Sequence, residues 1–131
     1  MYLLDTNIVS YWMRGDAKLL QKLMACNPSD LSLSTITLAE IYYGIEKSPI
    51  KKKERRFKIQ KIKTQLEIYP FNELAAEKYG ALRAVLEKAG QIISERDMQI
   101  AAIALANELC VVTHNLKEFC RVPRLIVEDW A

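Results

Sequence analysis

Short apolar segments alternate with helical patterns along this 131-residue chain, and this alternation constrains the fold more than any other feature. Five segments have the length and side-chain pattern of buried strands: Tyr2–Leu4, Leu31–Ser34, Leu66–Phe71, Leu109–Thr113 and Leu125–Val127. Strands of this kind, separated by helices, form a parallel sheet that is covered on both faces. The sequence therefore predicts an α/β fold of three layers, α/β/α, with a central parallel sheet of about five strands.

Length and composition narrow the class of protein. The length favours a single domain over residues 1–131, and a chain that is 50% hydrophobic and 27% charged is expected to fold. No apolar run approaches the roughly 20 residues of a membrane span, and Asp5 interrupts the N-terminal apolar run before it could serve as a signal peptide. The three cysteines form no CxxC pair, and their odd number argues against a disulfide framework. We therefore expect a cytoplasmic protein.

The positive charge of the chain is concentrated in one segment. Between Lys47 and Lys63 there are nine basic residues and one acid, so this segment carries +8 within a chain whose net charge is +3. Such a segment predicts contact with the phosphate backbone of a nucleic acid. The candidates for that contact stand at its start: Lys51, Lys52, Lys53, Arg55 and Arg56. A solvated helix face, whose charges only keep the protein dissolved, would have the same composition.

Three acids stand where a predicted strand ends or a predicted helix begins. Asp5 directly follows the first strand, whereas Glu40 and Asp97 lie in the early turns of two helices. In open parallel sheets ligands bind beyond the carboxyl ends of the strands, so we expect these three side chains to meet there. Grouped carboxylates repel one another, and their pKa values rise unless a cation lies among them. The arrangement therefore predicts a site for Mg2+ or Mn2+.

Each acid also has a purely structural interpretation. Asp5 could cap the helix that follows it, and Asp97 could be the third residue of a capping box headed by Ser94. Glu40 is harder to explain in this way, because its helix is apolar on both faces and is expected to be buried. A buried carboxylate requires a partner or a metal ion.

Several enzyme classes are excluded because their motifs are absent. His114 is the only histidine, so a mechanism that uses two imidazoles is ruled out. There is no HExxH motif, no paired Cys and His spacing for zinc, no glycine-rich phosphate loop and no GxSxG elbow. For an enzyme, what remains is oxygen-ligand chemistry on a hard divalent ion.

Five short motifs, in their order and spacing, resemble those of the PIN-domain ribonucleases, and most of all the VapC-type toxins of prokaryotic toxin–antitoxin pairs. The motifs are LLDTN at 3–7, TLAEIYYG at 37–44, RDMQIAA at 96–102, VTHN at 112–115 with EF at 118–119, and VP at 122–123 with EDW at 128–130. The resemblance implies a PIN-like domain and a metal-dependent endoribonuclease. It also implies that Asp5, Glu40 and Asp97 are the catalytic acids that bind Mg2+ or Mn2+.

The resemblance implies further site residues, with one departure from the family pattern. A fourth acid usually follows the penultimate strand, where this chain has Asn115. Glu118 is the nearest acid and is assigned to the fourth catalytic position, while Asn115 stays open as a neutral ligand or as a donor to ligand water. Thr6 and Thr113 are expected to orient the carboxylates through their hydroxyl groups, beside Asn115.

The resemblance also implies partners. These are a single-stranded RNA substrate, with tRNA favoured, a cognate antitoxin that keeps the type II toxin inactive, and a second copy of the chain in a homodimer. Contact with DNA would occur only through the antitoxin, and no contact with a membrane is implied.

Two alternatives stay open. One is a PIN-like module that has lost catalysis and only binds RNA or protein, which the departure at Asn115 favours. The other is a different acidic α/β enzyme. A phosphatase with an aspartyl nucleophile would usually carry a second Asp at the position of Asn7, and flap-type DNA nucleases are larger and richer in acids.

Overall fold

The computed structural model describes all 131 residues and forms a single five-stranded sheet with helices on both faces. The strands are β1 (Tyr2–Leu4), β2 (Leu31–Ser34), β3 (Glu67–Tyr69), β4 (Cys110–Val112) and β5 (Val127–Glu128). The helices are α1 (Thr6–Met13), α2 (Ala17–Met24), α3 (Thr35–Lys47), α4 (Lys52–Gln65), α5 (Glu73–Lys88), α6 (Glu95–Asn107) and α7 (Leu116–Phe119). All strand pairs are parallel. The predicted fold class is therefore confirmed.

The sheet separates two apolar cores because successive strand side chains point to opposite faces. In β1, Leu3 packs into one core with residues of α5 and α6, and Leu4 packs into the other with residues of α1, α3 and α4. The side chains of β4 divide in the same way, with Val111 in the first core and Val112 in the second. The sheet is thus the middle one of three layers.

The strand order creates the place where a site can form. The order is β3-β2-β1-β4-β5, so the chain builds the sheet outward from β1 on one side and later adds β4 and β5 on the other. The carboxyl ends of β1 and β4 therefore mark the point where the strand order reverses, which is where ligands bind in open α/β sheets. Asp5 follows β1, its backbone N–H donates to Val112 O at 2.9 Å, and Thr113 follows β4.

The last strand lies two residues later than the sequence pattern predicts. The pattern places it over Leu125–Val127, but β5 begins at Val127, which pairs with Val111. Arg124 adopts a left-handed backbone conformation with φ of 68°, so the chain is still turning at that point. Pairing with β4 can begin only after this turn is complete.

The prediction that α3 is buried on both faces is wrong. Its buried residues Thr37, Ile41 and Ile45 recur every four positions and form one stripe, whereas Tyr43 on the outer side is 61% exposed. A helix in an outer layer needs only one apolar stripe to cover the sheet. None of the helices, of which α5 is the longest, combines the length and the hydropathy that crossing a membrane would require.

Candidate active site

Asp5 lies at the centre of the candidate site. It is only 4% exposed, it caps α1 by accepting a hydrogen bond from Asn7 N at 2.8 Å through Oδ1, and its Oδ2 accepts a hydrogen bond from the Thr113 hydroxyl. The capping interpretation and the site interpretation are therefore compatible. The cap leaves the carboxylate facing the reversal point between β1 and β4.

A short chain of hydrogen bonds joins Asp5 to Asp97. The Oγ1 of Thr113 donates to Asp5 and accepts from Asn115 N at 2.8 Å, and Asn115 Nδ2 donates to Asp97 Oδ2 at 3.0 Å. Asp97 also fills the expected place in a capping arrangement, because its N–H donates to Ser94 Oγ at 3.2 Å. The loop after β4 thus holds both aspartates through neutral donors.

Glu40 is held on the opposite side of Asp5 by a second set of hydroxyl groups. The hydroxyl of Thr6 lies 2.7 Å from Glu40 Oε1 and 3.2 Å from the Thr37 hydroxyl. The Arg96 Nη1 donates to Glu40 Oε2 at 3.3 Å, and the Glu40 side chain is 23% exposed. The predicted role of Thr6 as an orienting hydroxyl agrees with this contact.

The three carboxyl groups act on one another electrostatically. Burial is the main cause that raises the pKa of Asp97 to about 6, followed by the charge of Asp5, with a smaller contribution from Glu40. Burial also raises the pKa of Asp5, and Glu40 adds to this effect, although the hydrogen bonds from Thr113 and Asn7 oppose it. Burial, with repulsion between the acids added to it, disfavours the ionised forms of these two carboxyls, and a nearby cation would favour them.

The donor chemistry of the cluster suits a hard divalent cation. No three His, Cys, Asp or Glu side chains stand close enough together in this arrangement to share one ion, and Glu40 is instead held by Thr6 and Arg96. A Mg2+ site, however, requires only one or two direct carboxylates, because the ion keeps several of its waters. Asp5 and Asp97, which are joined through Thr113 and Asn115, offer two carboxylates to such an ion, so the residues present fit it.

Two other residues of the loop after β4 do not join the acidic cluster. Glu118 lies on α7, where its Oε2 is 3.6 Å from Arg121 Nη1, and the structure does not bring it to Asp97. His114 is exposed, and its Nδ1 lies 3.0 Å from Asp129 Oδ2. Of the two residues considered for the fourth position, Asn115 is therefore the one that contacts an acid of the cluster.

A cavity of about 530 Å3 opens between α1, α3 and α4, with Thr6 and Glu40 in its lining. Lys51 and Arg55, both predicted to contact a nucleic acid, line the same cavity. The structure thus places these two cations in the same cavity as Glu40, one of the three acids.

The other three predicted contacts lie elsewhere. Arg56 forms an ion pair with Glu46, and Lys52 and Lys53 are exposed outside the cavity lining. The basic segment therefore has a face on the cavity and a face on solvent.

Four cations join the site without having been assigned to it from the sequence. Arg14, Lys47 and Lys58 line the cavity, and Arg96 contacts Glu40. Lys47 and Lys58 belong to the basic segment, and Arg96 immediately precedes Asp97, so the sequence contained a signal for these three. The sequence contained no such signal for Arg14, because it lies at the end of α1 and far from the other cations in the chain.

Comparison with known proteins gives the same result at the level of family. The model of the family described as PIN domain matches residues 2–125. The chain is 38% identical to Ribonuclease VapC2 of Rickettsia felis, over 99% of this chain and 98% of the relative. It is 33% identical to the tRNA(fMet)-specific endonuclease VapC of Salmonella typhimurium, over 98% of this chain and 97% of the relative. Among solved structures, VapBC2 of Rickettsia felis bound to a DNA fragment from its promoter aligns with a TM-score of 0.92 at 37% identity, over 99% and 98% of the two chains.

Proposed function

The chain belongs to the PIN-domain family and, within it, to the VapC ribonucleases, and we propose that it cleaves RNA as the toxin of a type II toxin–antitoxin pair. The observation that carries the proposal is the meeting of Asp5, Glu40 and Asp97 beside a cavity with basic walls. Negative charge grouped in this way suits phosphodiester chemistry on a metal ion, and the basic walls suit a polyanion. The relative that is named a tRNA(fMet)-specific endonuclease makes tRNA the favoured substrate.

Asp5 and Asp97 are the residues that would hold Mg2+ or Mn2+ directly, and Glu40, which is held by Thr6 and Arg96, would contribute through a water of the ion. When bound, such an ion supplies a more acidic water and stabilises negative charge on the phosphate in the transition state. Thr113 and Thr6 orient the carboxylates of Asp5 and Glu40 by hydrogen bonding. These hydroxyls compensate part of the negative charge while leaving the carboxylates ionisable, as groups that support metal ligands do.

The proposed reaction is hydrolysis of an RNA phosphodiester. The oxygen of a water molecule adds to phosphorus, the bond from phosphorus to the ribose 3′ oxygen breaks, and that oxygen gains a proton. The attacking water loses its proton to a carboxylate of the cluster, and the departing 3′ oxygen takes its proton from solvent water. The products are a 3′-hydroxyl and a 5′-phosphate, and no covalent intermediate with the protein forms.

The proposed partner is a cognate antitoxin. The similar structure from Rickettsia felis is a VapBC2 complex on promoter DNA, so we propose that this chain likewise pairs with an antitoxin and contacts DNA only through it. We further propose that it forms a homodimer and acts in the cytoplasm, where its RNA substrate is found. Antitoxin bound at the acidic cluster would prevent cleavage.

Cleavage of a tRNA pool by the purified protein tests the proposed function. We expect discrete fragments in Mg2+ or Mn2+, none in EDTA, and downstream fragments that a 5′-phosphate-dependent exonuclease can degrade. Addition of the purified antitoxin should suppress the fragments. Fragments that form equally in EDTA and end in a 2′,3′-cyclic phosphate would contradict the proposed chemistry. Folded, antitoxin-free protein that cleaves no RNA would instead favour the catalytically inactive binding module.

The contact between Asn115 and Asp97 leads to a prediction about the fourth position of the site. Asn115→Ala should lower the cleavage rate about 10- to 100-fold, in the range seen when a group that supports a metal ligand is removed. Glu118→Gln should change the rate little, because Glu118 contacts Arg121 and no acid of the cluster. Initial rates on one tRNA substrate measure both effects. The opposite order of effects would show that Glu118 enters the site when RNA binds.

A further inference from the structure

The cavity between α1, α3 and α4 extends beyond the residues that the cleavage reaction uses. Its lining follows α1 from Thr6 to Arg14 and α3 from Glu40 to Lys47. At 1.5 Å of rise per residue these stretches are roughly 10 Å long, and the volume of about 530 Å3 falls in the range of sites for small ligands. The cavity therefore extends from Thr6 and Glu40 along α1 and α3, across a region large enough for a nucleotide.

The charge of the cavity favours an anionic occupant. Its cationic side chains outnumber its two acids, Glu40 and Glu54; they are Arg14, Lys47, Lys51, Arg55 and Lys58. Glu40 contacts Arg96 and Glu54 contacts Lys58, so both acids already have partners.

Four of these cations form no ion pair within the chain, but Arg14 and Lys47 each lie over a tyrosine ring. Lys51 and Arg55 have neither an ion pair nor such a ring. A guanidinium in this state can engage a phosphate through two parallel hydrogen bonds. These two side chains are therefore available to a phosphate group.

Gly44 leaves open space in the wall of the cavity. It sits inside α3, where glycine is less favourable than alanine, and it does not have a positive φ that would require glycine. A Cβ atom at this position would meet nothing within 4 Å. Packing within the chain therefore does not require a glycine here, and Gly44 lines the cavity. The absent side chain leaves room for a ligand to approach the helix backbone.

We propose that this cavity is a binding subsite for the nucleotide of a single-stranded RNA next to the bond that is cut. Lys51 and Arg55 hold its phosphate, and its sugar and base lie against the helix backbone at Gly44. The subsite rests on the proposed function, because the RNA strand enters it from the acidic cluster. An acidic peptide from a partner protein is the competing occupant.

Binding of a labelled RNA oligonucleotide in EDTA tests the subsite without requiring cleavage. Gly44→Leu should weaken binding about 10-fold, because the new side chain fills the space proposed for the ligand. Gly80→Leu is the matched control, since Gly80 is also inside a helix, a Cβ there also meets nothing within 4 Å, and it is exposed away from the cavity. Both variants should unfold at or above the wild-type temperature, because leucine is the better helix former.

A second matched pair tests the phosphate contact. Arg55→Gln should weaken RNA binding and reduce the slope of log affinity against log salt by about 0.7, the value for one contact on a single strand. Arg56→Gln alters the next residue of the same helix, which pairs with Glu46 outside the cavity lining, and should leave the slope unchanged. Equal effects of the two substitutions, or unchanged RNA affinity in Gly44→Leu, would overturn the subsite. Unchanged RNA affinity with a weakened antitoxin complex would assign the cavity to the protein partner instead.

Hydrolysis of a nitrophenyl phosphodiester, which carries no neighbouring nucleotide to occupy the subsite, separates the two proposals. Wild-type protein and the control Gly80→Leu should hydrolyse it at equal rates in Mn2+. Failure of both to hydrolyse this compound or RNA would count against the proposed function, while the binding measurements would still decide the subsite.

Discussion

Asp97→Asn is expected to abolish RNA cleavage, with a loss of at least about 1,000-fold in rate. The substitution removes one negative charge and one carboxylate oxygen from the cluster, yet the amide has nearly the same shape and can still bond to Asn115. A metal ion contributes several kcal/mol to stabilising a phosphoryl transition state, and each 1.36 kcal/mol corresponds to a factor of ten. Initial rates on a single tRNA in Mg2+ and in Mn2+ measure the effect.

Glu95→Gln is the matched control for this substitution. Glu95 lies in the same first turn of α6 and loses the same charge, but it is exposed and does not contribute to the raised pKa of Asp5 or of Asp97. The control should cleave at nearly the wild-type rate. A wild-type rate in Asp97→Asn, or an equal loss in both variants, would contradict the role assigned to the acidic cluster.

The second large effect concerns the stability of the metal-free protein as a function of pH. The pKa of Asp97 in the folded protein is raised from 3.8 to about 6, first by burial and then by Asp5. Between these two values the folded state binds more protons than the unfolded state, so the free energy of unfolding falls as pH rises, and it stays low above pH 6. A shift of two units corresponds to at most about 3 kcal/mol, and partial exposure to water reduces the effect to about 2 kcal/mol.

Asp97→Asn lacks this pH-dependent loss of stability. In EDTA at pH 7.5 the variant should therefore be more stable than the wild type by about 2 kcal/mol, and the difference should shrink to less than half by pH 4.5. Urea denaturation at several pH values measures the difference in free energy of unfolding between the two proteins. Groups that titrate in both proteins contribute equally and cancel in this difference. A variant that is less stable than the wild type at pH 7.5 would show that Asp97 is not electrostatically strained.

Millimolar Mg2+ or Mn2+ should reverse the order at pH 7.5. Binding to the folded state alone stabilises a protein in proportion to the logarithm of ligand concentration, and the wild type retains the full set of acids. The wild type should gain thermal stability on addition of the ion, whereas Asp97→Asn should gain little.

The layers of the fold were predictable because strand periodicity is a local property. Leu3 and Leu4 are adjacent and both apolar, so the strand that carries them must be covered on both faces. The position of β5 was not predictable in the same way. The backbone conformation of Arg124 sets the start of that strand, and a left-handed arginine has no clear signal in the sequence.

The candidate site was predictable to the extent that a topological rule connects distant residues. Asp5 follows a strand, and Glu40 and Asp97 lie near the starts of helices, so a parallel sheet brings them to the same edge. The choice between Asn115 and Glu118 could not be made from sequence. Both follow β4, and their difference depends on how α7 turns, which directs Glu118 to Arg121 and leaves Asn115 facing Asp97.

The sequence by itself determined the fold class, the three acids and the basic segment, because each of these follows from residue type and short-range spacing. Only the tertiary structure decided which basic residues face the acids. Arg55 and Arg56 are neighbours in the chain with equal charge, yet successive helix positions point about 100° apart. One of them therefore lines the cavity beside Glu40, while the other pairs with Glu46 on a different surface. That division depends on how α1, α3 and α4 pack against one another. The residues that determine this packing are far apart in the sequence.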